Sequence, residues 1–363
     1  MKYPRPQYGD PSVPTLTHTA LFGMGTRTLP VLEKPISIRE NFRRAWTRQD
    51  PVWVPNSMTD TYGSILPMLN GMPEADFGSR ERQDWTDWFG VEWTYVPEAG
   101  GSMAKVGSHL LEDVLDWEKV VKFPRLADYD FAGEGGKFMK GWDGEQIIQC
   151  DVGLGCTERL VSLFGGYSEA MVAMAMEPEA TRDLLEAFAD WEITVVDELL
   201  KTVPLDLITY HDDWGTERDT FFSEKMMEEI VFPPTKRIFD HIRSRGVCLE
   251  LHSCGHIERF IPYMLDLKVD LLQIQARCND IAAYKRKWGD RVGFDVSVFP
   301  APGASKEQLI ADIRRAVDDY GAGGGFYSSV FAEDPELVWA GASELFYYSR
   351  EKYDAEREAK DNG

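Results

Sequence analysis

From residue 145 to residue 351 the chain alternates short apolar runs with longer amphipathic ones, and no other feature limits its fold as much. Strands are expected at 146–151, 206–211, 247–252, 270–275, 291–296 and 325–329. Helices are expected at 157–164, 168–176, 178–203, 223–245, 257–267, 280–288, 305–320 and 335–351. Within 178–203, Leu184, Leu185, Phe188, Trp191, Val195, Leu199 and Leu200 share one side at helical spacing. Parallel strands need crossover connections, usually helical, so six strand–helix units in succession imply a parallel sheet. With earlier strands supplied from Trp53 onward, a closed (β/α)8 TIM barrel fits better than an open sheet. No Gly-x-Gly-x-x-Gly turn suggests a dinucleotide fold, and the glycines of 321–325 precede a strand as a connector.

The remainder reads as additions to one barrel domain. Residues 1–36 hold six prolines and little periodicity, which suits an extended arm on the body or on a partner subunit, as in a homodimer. Ser37-Ile38-Arg39-Glu40 has the capping-box pattern, so a helix should run to about residue 48. Residues 51–55 read as a short strand between prolines. Residues 70–145 mix Trp85, Trp88, Phe89, Trp93 and further aromatics with glycines and acids, without a clean period. Such an insertion is either a subdomain packed on itself or a lid walling a flat or apolar ligand.

Composition excludes several partners. The net charge of −22 argues against nucleic acid and anionic membranes, both of which need a basic footprint. No apolar run approaches 18 residues, and the first ten residues lack a signal-peptide core, so a cytoplasmic location is expected. Five cysteines do not make a disulfide framework; Cys150, Cys156 and Cys248 read as core filler.

A barrel places its site at the C-terminal ends of its strands. Those ends supply Asn56; Asp151; His211, Asp212, Asp213 and Trp214; His252 and Cys254; Gln275 and Cys278; Asp295 and Ser297; and Tyr327, Ser328 and Ser329. Polar groups facing a barrel interior must be satisfied, so this density points to a ligand, a metal or water. In Cys248-Leu249-Glu250-Leu251-His252-Ser253-Cys254, strand alternation turns Cys248, Glu250 and His252 one way and the leucines the other. A His and a Cys one residue apart suit zinc; the plainer alternative is a strand end with a buried thiol and a hydrogen-bonded His. Of the adjacent Asp212 and Asp213, one can orient a metal ligand or substrate while the other caps a helix. Glu250 needs a buried partner or a place beside the site. Glu158 and Arg159 read as an ion pair at a helix start.

His211-Asp212-Asp213-Trp214-Gly215, Phe232-Pro233-Pro234, Leu251-His252-Ser253-Cys254-Gly255 and Gln273-Ile274-Gln275 together resemble the uroporphyrinogen decarboxylase superfamily over roughly residues 38–350. The resemblance implies a (β/α)8 barrel and one of two activities. The decarboxylase branch grips carboxylates with arginines after Pro-Val-Trp; here Val54-Pro55-Asn56-Ser57-Met58-Thr59-Asp60 has none. The other branch comprises zinc-dependent methyltransferases that work with methylcobalamin on a corrinoid protein, and it uses a His-x-Cys pair plus a distant Cys. His252 and Cys254 match the pair, while Phe326-Tyr327-Ser328-Ser329 lacks the third thiol. Cys278 is then the remaining candidate thiolate, with Asp212, Asp213 or Glu250 able to complete the site. The implied function is methyl transfer between a small methyl donor or acceptor and the corrinoid, with Asp212, Asp213 and Glu250 in catalytic roles. Trp53, Asn56, His211, Trp214, Gln275, Asp295 and Tyr327 would contact substrate. A metal-free decarboxylase or lyase and a non-catalytic binding barrel are the rival expectations.

Overall fold

A computed structural model describes residues 2–19, 26–64, 84–97 and 101–362. The chain opens with a hairpin of β1 (Thr15–Thr19) and β2 (Thr26–Pro30), followed by helix Ile38–Trp46. The Ser37 hydroxyl accepts from the Glu40 N–H, as its position predicts. The reciprocal half of a capping box does not form, because the Glu40 carboxylate turns to Arg43 and Arg44. Residues 51–55 are not a regular strand. Proline cannot donate to a ladder, and the Asn41 amide takes over. It accepts from the Val52 N–H at 2.7 Å and donates to the Trp53 carbonyl at 2.9 Å.

β3 (Thr61–Ser64) leads into the aromatic insertion. Its described part contains an antiparallel sheet of β4 (Asp84–Thr86), β5 (Glu92–Val96) and β6 (Gly101–Ala104). The Trp85 and Trp93 rings stack at 5.3 Å, and Phe89 meets Phe188 at 5.7 Å and Trp191 at 5.0 Å. The described rings therefore pack on one another and on helix Pro178–Leu200. Residues 70–83 and 98–100 of the expected insertion lie outside the described residues.

The strands that follow are β7 (Ile147–Val152), β8 (Leu207–His211), β9 (Cys248–Ser253), β10 (Leu271–Ile274), β11 (Gly293–Asp295) and β12 (Phe326–Tyr327). With β3 they form one parallel sheet of seven strands, ordered β12-β11-β10-β9-β8-β7-β3. The expected eighth strand is present only as a bridged segment: Ser57 N–H donates to Ser328 O, and Ser328 N–H to Pro55 O. Helices cross between successive strands where the amphipathic runs predict them. The expected helix 223–245 is interrupted by a π-helical turn, Met227–Val231. Pro233 and Pro234 follow and offer no N–H to the preceding turn, which the wider turn accommodates. The last helix, Pro335–Asp361, outruns its expected end at 351. Its later turns are held by the start of the chain: Arg5 pairs with Glu344 and Glu351, and Tyr3 with Asp354. No helix among the described residues is long and apolar enough to cross a membrane.

Alternation sorts the strands into layers. Leu249, Leu251, Ile208, Tyr210, Leu272 and Phe294 face outward into the main core beneath the helices. On the inner face Ile147, Leu207, Cys248, Leu271 and Tyr327 join Trp53 and Phe42 in an apolar floor. Toward the C-terminal ends the inner face turns polar, with Gln149, Thr209, Glu250, Gln273 and Asp295 joined by Asp151, His211 and His252. Cys150, Cys156 and Cys248 are fully buried.

Candidate metal centre

β9 carries His252 to the rim as its last inward-facing side chain, opposite His211 on β8 and Gln273 on β10. The chain then turns sharply. Gly255 has φ +84°, and a Cβ there would lie 2.2 Å from the Gly215 carbonyl, so only glycine lets the two rim loops meet. The His256 N–H donates to Thr216 O at 2.6 Å, and the Cys254 N–H to Asp213 Oδ1 at 2.7 Å. These bonds bring three ligand types together. His252 Nε2 lies 3.3 Å from Cys254 Sγ and 3.7 Å from Asp213 Oδ1. One ligand atom from each of Asp213, His252 and Cys254 falls within 4.8 Å of the others, and all three residues are half-buried.

The layer beneath is continuous. Thr209 Oγ1 donates to Glu250 Oε1 at 2.9 Å, and Gln273 Nε2 donates to Glu250 Oε1 at 3.1 Å and Asp295 Oδ2 at 2.7 Å. Gln273 Oε1 in turn meets His252 Nδ1 at 2.8 Å. Burial, and then the nearby Asp295, raise the Glu250 carboxyl well above its ordinary range; burial lifts Asp295 to about 7. Two buried acids this close cannot both ionise readily. Glu250 Oε2 and Asp295 Oδ1 are buried and have no hydrogen-bond partner among the described residues.

The donor set fits a divalent metal. Burial, then His211, push His252 down to about 4, so its imidazole is neutral and has a lone pair to offer. Burial, then Asp213, push the Cys254 thiol up, so a thiolate beside that carboxylate needs a cation between them. An imidazole, a thiol and a carboxylate form the mixed set that zinc accepts. Gln275 Nε2 donates to Cys254 Sγ at 3.0 Å and orients the sulfur.

The expected site residues separate into those that reach this face and those that do not. Asp213, His252, Cys254, His211 and Gln275 reach it; the His211 and His252 rings lie 4.7 Å apart, and His211 Nε2 is 3.7 Å from Asp151 Oδ1. Glu250 and Asp295 lie a layer below. Cys278 does not join the group; its loop turns the sulfur toward Gln275 Oε1 at 3.9 Å. Asp212 is fully buried and faces away, accepting from Glu158 N–H, Thr157 N–H and Trp214 Nε1. It caps helix Cys156–Phe164, whose own cap residue, Gly155, has no side chain. A Cβ on Gly155 would sit 2.7 Å from Asp212 Cβ, so the glycine makes that approach feasible. Trp214 is core, its ring edge-on to Phe260. Trp53 lies in the floor and donates to Asp60. Asn56 caps the short turn Ser57–Asp60. Tyr327 is buried, its hydroxyl 2.9 Å from Thr61 Oγ1.

Glu158 was missed as a site residue. Its expected partner Arg159 pairs instead with Asp87, at 2.5 Å, and lies over the Phe89 ring. Burial, then Asp213, lift Glu158 to about 8, and Tyr167 O–H donates to it at 2.7 Å. The signal was available: Glu158 sits in the first turn after β7, on the rim that holds His211. Gln273 was read only as part of a motif, although its parity with Gln275 places it beneath the rim.

The fold and this rim define a class: a curled parallel α/β sheet with a metal-type ligand cluster at its C-terminal edge. Residues 160–326 match the family model described as uroporphyrinogen decarboxylase (URO-D), and the resemblance to that superfamily holds. The structure is similar to that of a methyltransferase from Methanosarcina mazei, with TM-score 0.61 and 11% identity, covering 88% of this chain and 100% of that one. A looser likeness is to a Bacillus subtilis mannanase, with TM-score 0.39 and 12% identity, covering 64% and 71% of the two chains. No curated protein matches the chain by sequence.

Proposed function

We propose that this chain is a zinc-dependent methyltransferase that works with a corrinoid protein. The observation that carries this reading is the convergence of Asp213, His252 and Cys254 at the sheet's C-terminal rim. The likeness in fold to a methyltransferase supports it. The same reading takes the sheet as a (β/α)8 barrel closed by the bridged segment at 55–57, with residues 1–36 as its arm.

Zinc held by these three residues would supply a Lewis acid for the heteroatom that gives or takes the methyl group. The remaining roles belong to side chains. Asp213 fixes the Cys254 backbone while offering a carboxylate oxygen, and Gln275 holds the sulfur. Glu158 still carries its proton at neutral pH, because its carboxyl titrates near 8, and Tyr167 orients it. It can therefore hand a proton to a leaving heteroatom. Decarboxylation of a polycarboxylate is the weaker reading. Such a substrate would meet Asp151, Glu158 and Asp213 at the rim, and residues 54–60 supply no arginine to hold it.

The test supplies the zinc-loaded protein with methylcobalamin and a thiol. The absorbance of methylcobalamin should decay, and Cys254→Ala should abolish the decay. A protein inert in this assay, and equally inert toward methoxylated and methylamine donors with reduced cobalamin, would contradict the reading.

A further inference from the structure

We infer that Gln273, clamped by Glu250 and Asp295, is a positioning residue that dictates which nitrogen of His252 faces the metal centre. The inference borrows the metal reading for its consequence only; the tautomer itself belongs to the metal-free chain.

A primary amide has one oxygen that accepts and one nitrogen that donates. The Gln273 nitrogen lies 2.7 Å from Asp295 Oδ2 and 3.1 Å from Glu250 Oε1, so both of its N–H groups are used. Thr209 donates to that same Glu250 oxygen and holds it in place. If the amide flipped, its carbonyl oxygen would face two carboxyl oxygens. The flip gives up both N–H bonds and sets an oxygen against two oxygens, one of them already held by the Thr209 hydroxyl. The orientation is therefore fixed from below.

The consequence passes upward. The Gln273 carbonyl, 2.8 Å from His252 Nδ1, can only accept, so the imidazole must carry its proton on Nδ1. That leaves the lone pair on Nε2. Nε2 is the nitrogen 3.3 Å from Cys254 Sγ and 3.7 Å from Asp213 Oδ1. Two buried acids with an unpartnered oxygen each are costly to keep inside a sheet. Holding this amide is the service their hydrogen bonds show. A metal-ligating His almost always donates its other N–H outward; here the acceptor's direction is set by a second pair of side chains.

Nitrogen-15 NMR of histidine-labelled, metal-free protein tests the inference. Wild type should show His252 protonated on Nδ1 and bare on Nε2. Glu250→Gln with Asp295→Asn keeps the shape but offers N–H donors to the amide, so Gln273 is free to flip and an Nε2–H population should appear. Gln273→Met should do the same and weaken zinc binding by about 10–100-fold. Thermal melts confirm that each variant is folded. His252 protonated on Nε2 in wild type would overturn the inference without any variant; so would a tautomer unchanged in both folded variants. Wild type that shows Nδ1–H and yet binds no zinc would sink the metal reading and leave this one standing.

Discussion

Burial and the neighbouring Asp213 both oppose a negative charge on the Cys254 sulfur. Metal binding at this site must therefore release its proton. Zinc affinity should rise about tenfold per pH unit between pH 6 and 8, a slope read by competition with a chelator of known affinity. A flat profile would mean that the thiol is not a ligand. Ligand choice is testable one residue at a time. Asp213→Asn and Cys254→Ser should each lower zinc affinity by about 100-fold or more, whereas Cys278→Ser should leave it within about twofold. His252 and Cys254 were legible in the sequence because their spacing carries its own chemistry. Asp212 and Asp213 were not separable, because which one turns inward depends on how the backbone leaves β8. Trp53 and Trp214 misled for a related reason: an aromatic beside a polar motif reads as rim until the layers of the sheet are known.

Elements depend on capping across the sheet. Helix Cys156–Phe164 begins at a glycine and borrows its cap from Asp212, at the end of the adjacent strand. Asp212→Ala would leave the Thr157 and Glu158 N–H groups and the Trp214 indole unpaired. It should cost about 2–3 kcal/mol, visible as a lower denaturation midpoint. An unchanged midpoint would contradict the cap. Most strands and helices of 145–351 were legible from periodicity, because burial against one sheet imposes it. Long-range contacts explain the departures. The final helix runs ten residues past its apolar pattern because Lys2, Tyr3 and Arg5 hold its acids. Residues 51–55 lose their ladder to the Asn41 amide. The insertion at 70–145 gave no period because its described strands are short and its rings pack on a distant helix.

At the scale of the molecule, the acidic side chains are not confined to the surface. Glu192, on helix Pro178–Leu200, lies buried between helix and sheet, accepting from the Tyr210 hydroxyl at 2.9 Å, and burial lifts it from 4.5 to about 8. A raised acid stabilises the fold while it is neutral. Its contribution is whole below its unfolded value and is lost as the pH rises through 8. Stability should therefore be greater at pH 6 than at pH 9, by an amount on the order of 2 kcal/mol from this group. Glu192→Gln keeps the acceptor for Tyr210 and should flatten that part of the profile. A profile as steep in the variant as in wild type would assign the loss elsewhere. The α/β class and its parallel sheet were legible at this scale, because succession and periodicity survive without side-chain detail. The candidate ligand cluster was not, because it joins residues 213, 252 and 254 through a loop crossing that only the close approach of Gly215 and Gly255 permits. X-ray absorption at the zinc edge of the loaded protein tests the central claim most directly. The account predicts one zinc per chain, bound by one sulfur, one imidazole nitrogen and oxygen for the rest. A protein that retains no zinc, or a shell with two sulfurs, would contradict it.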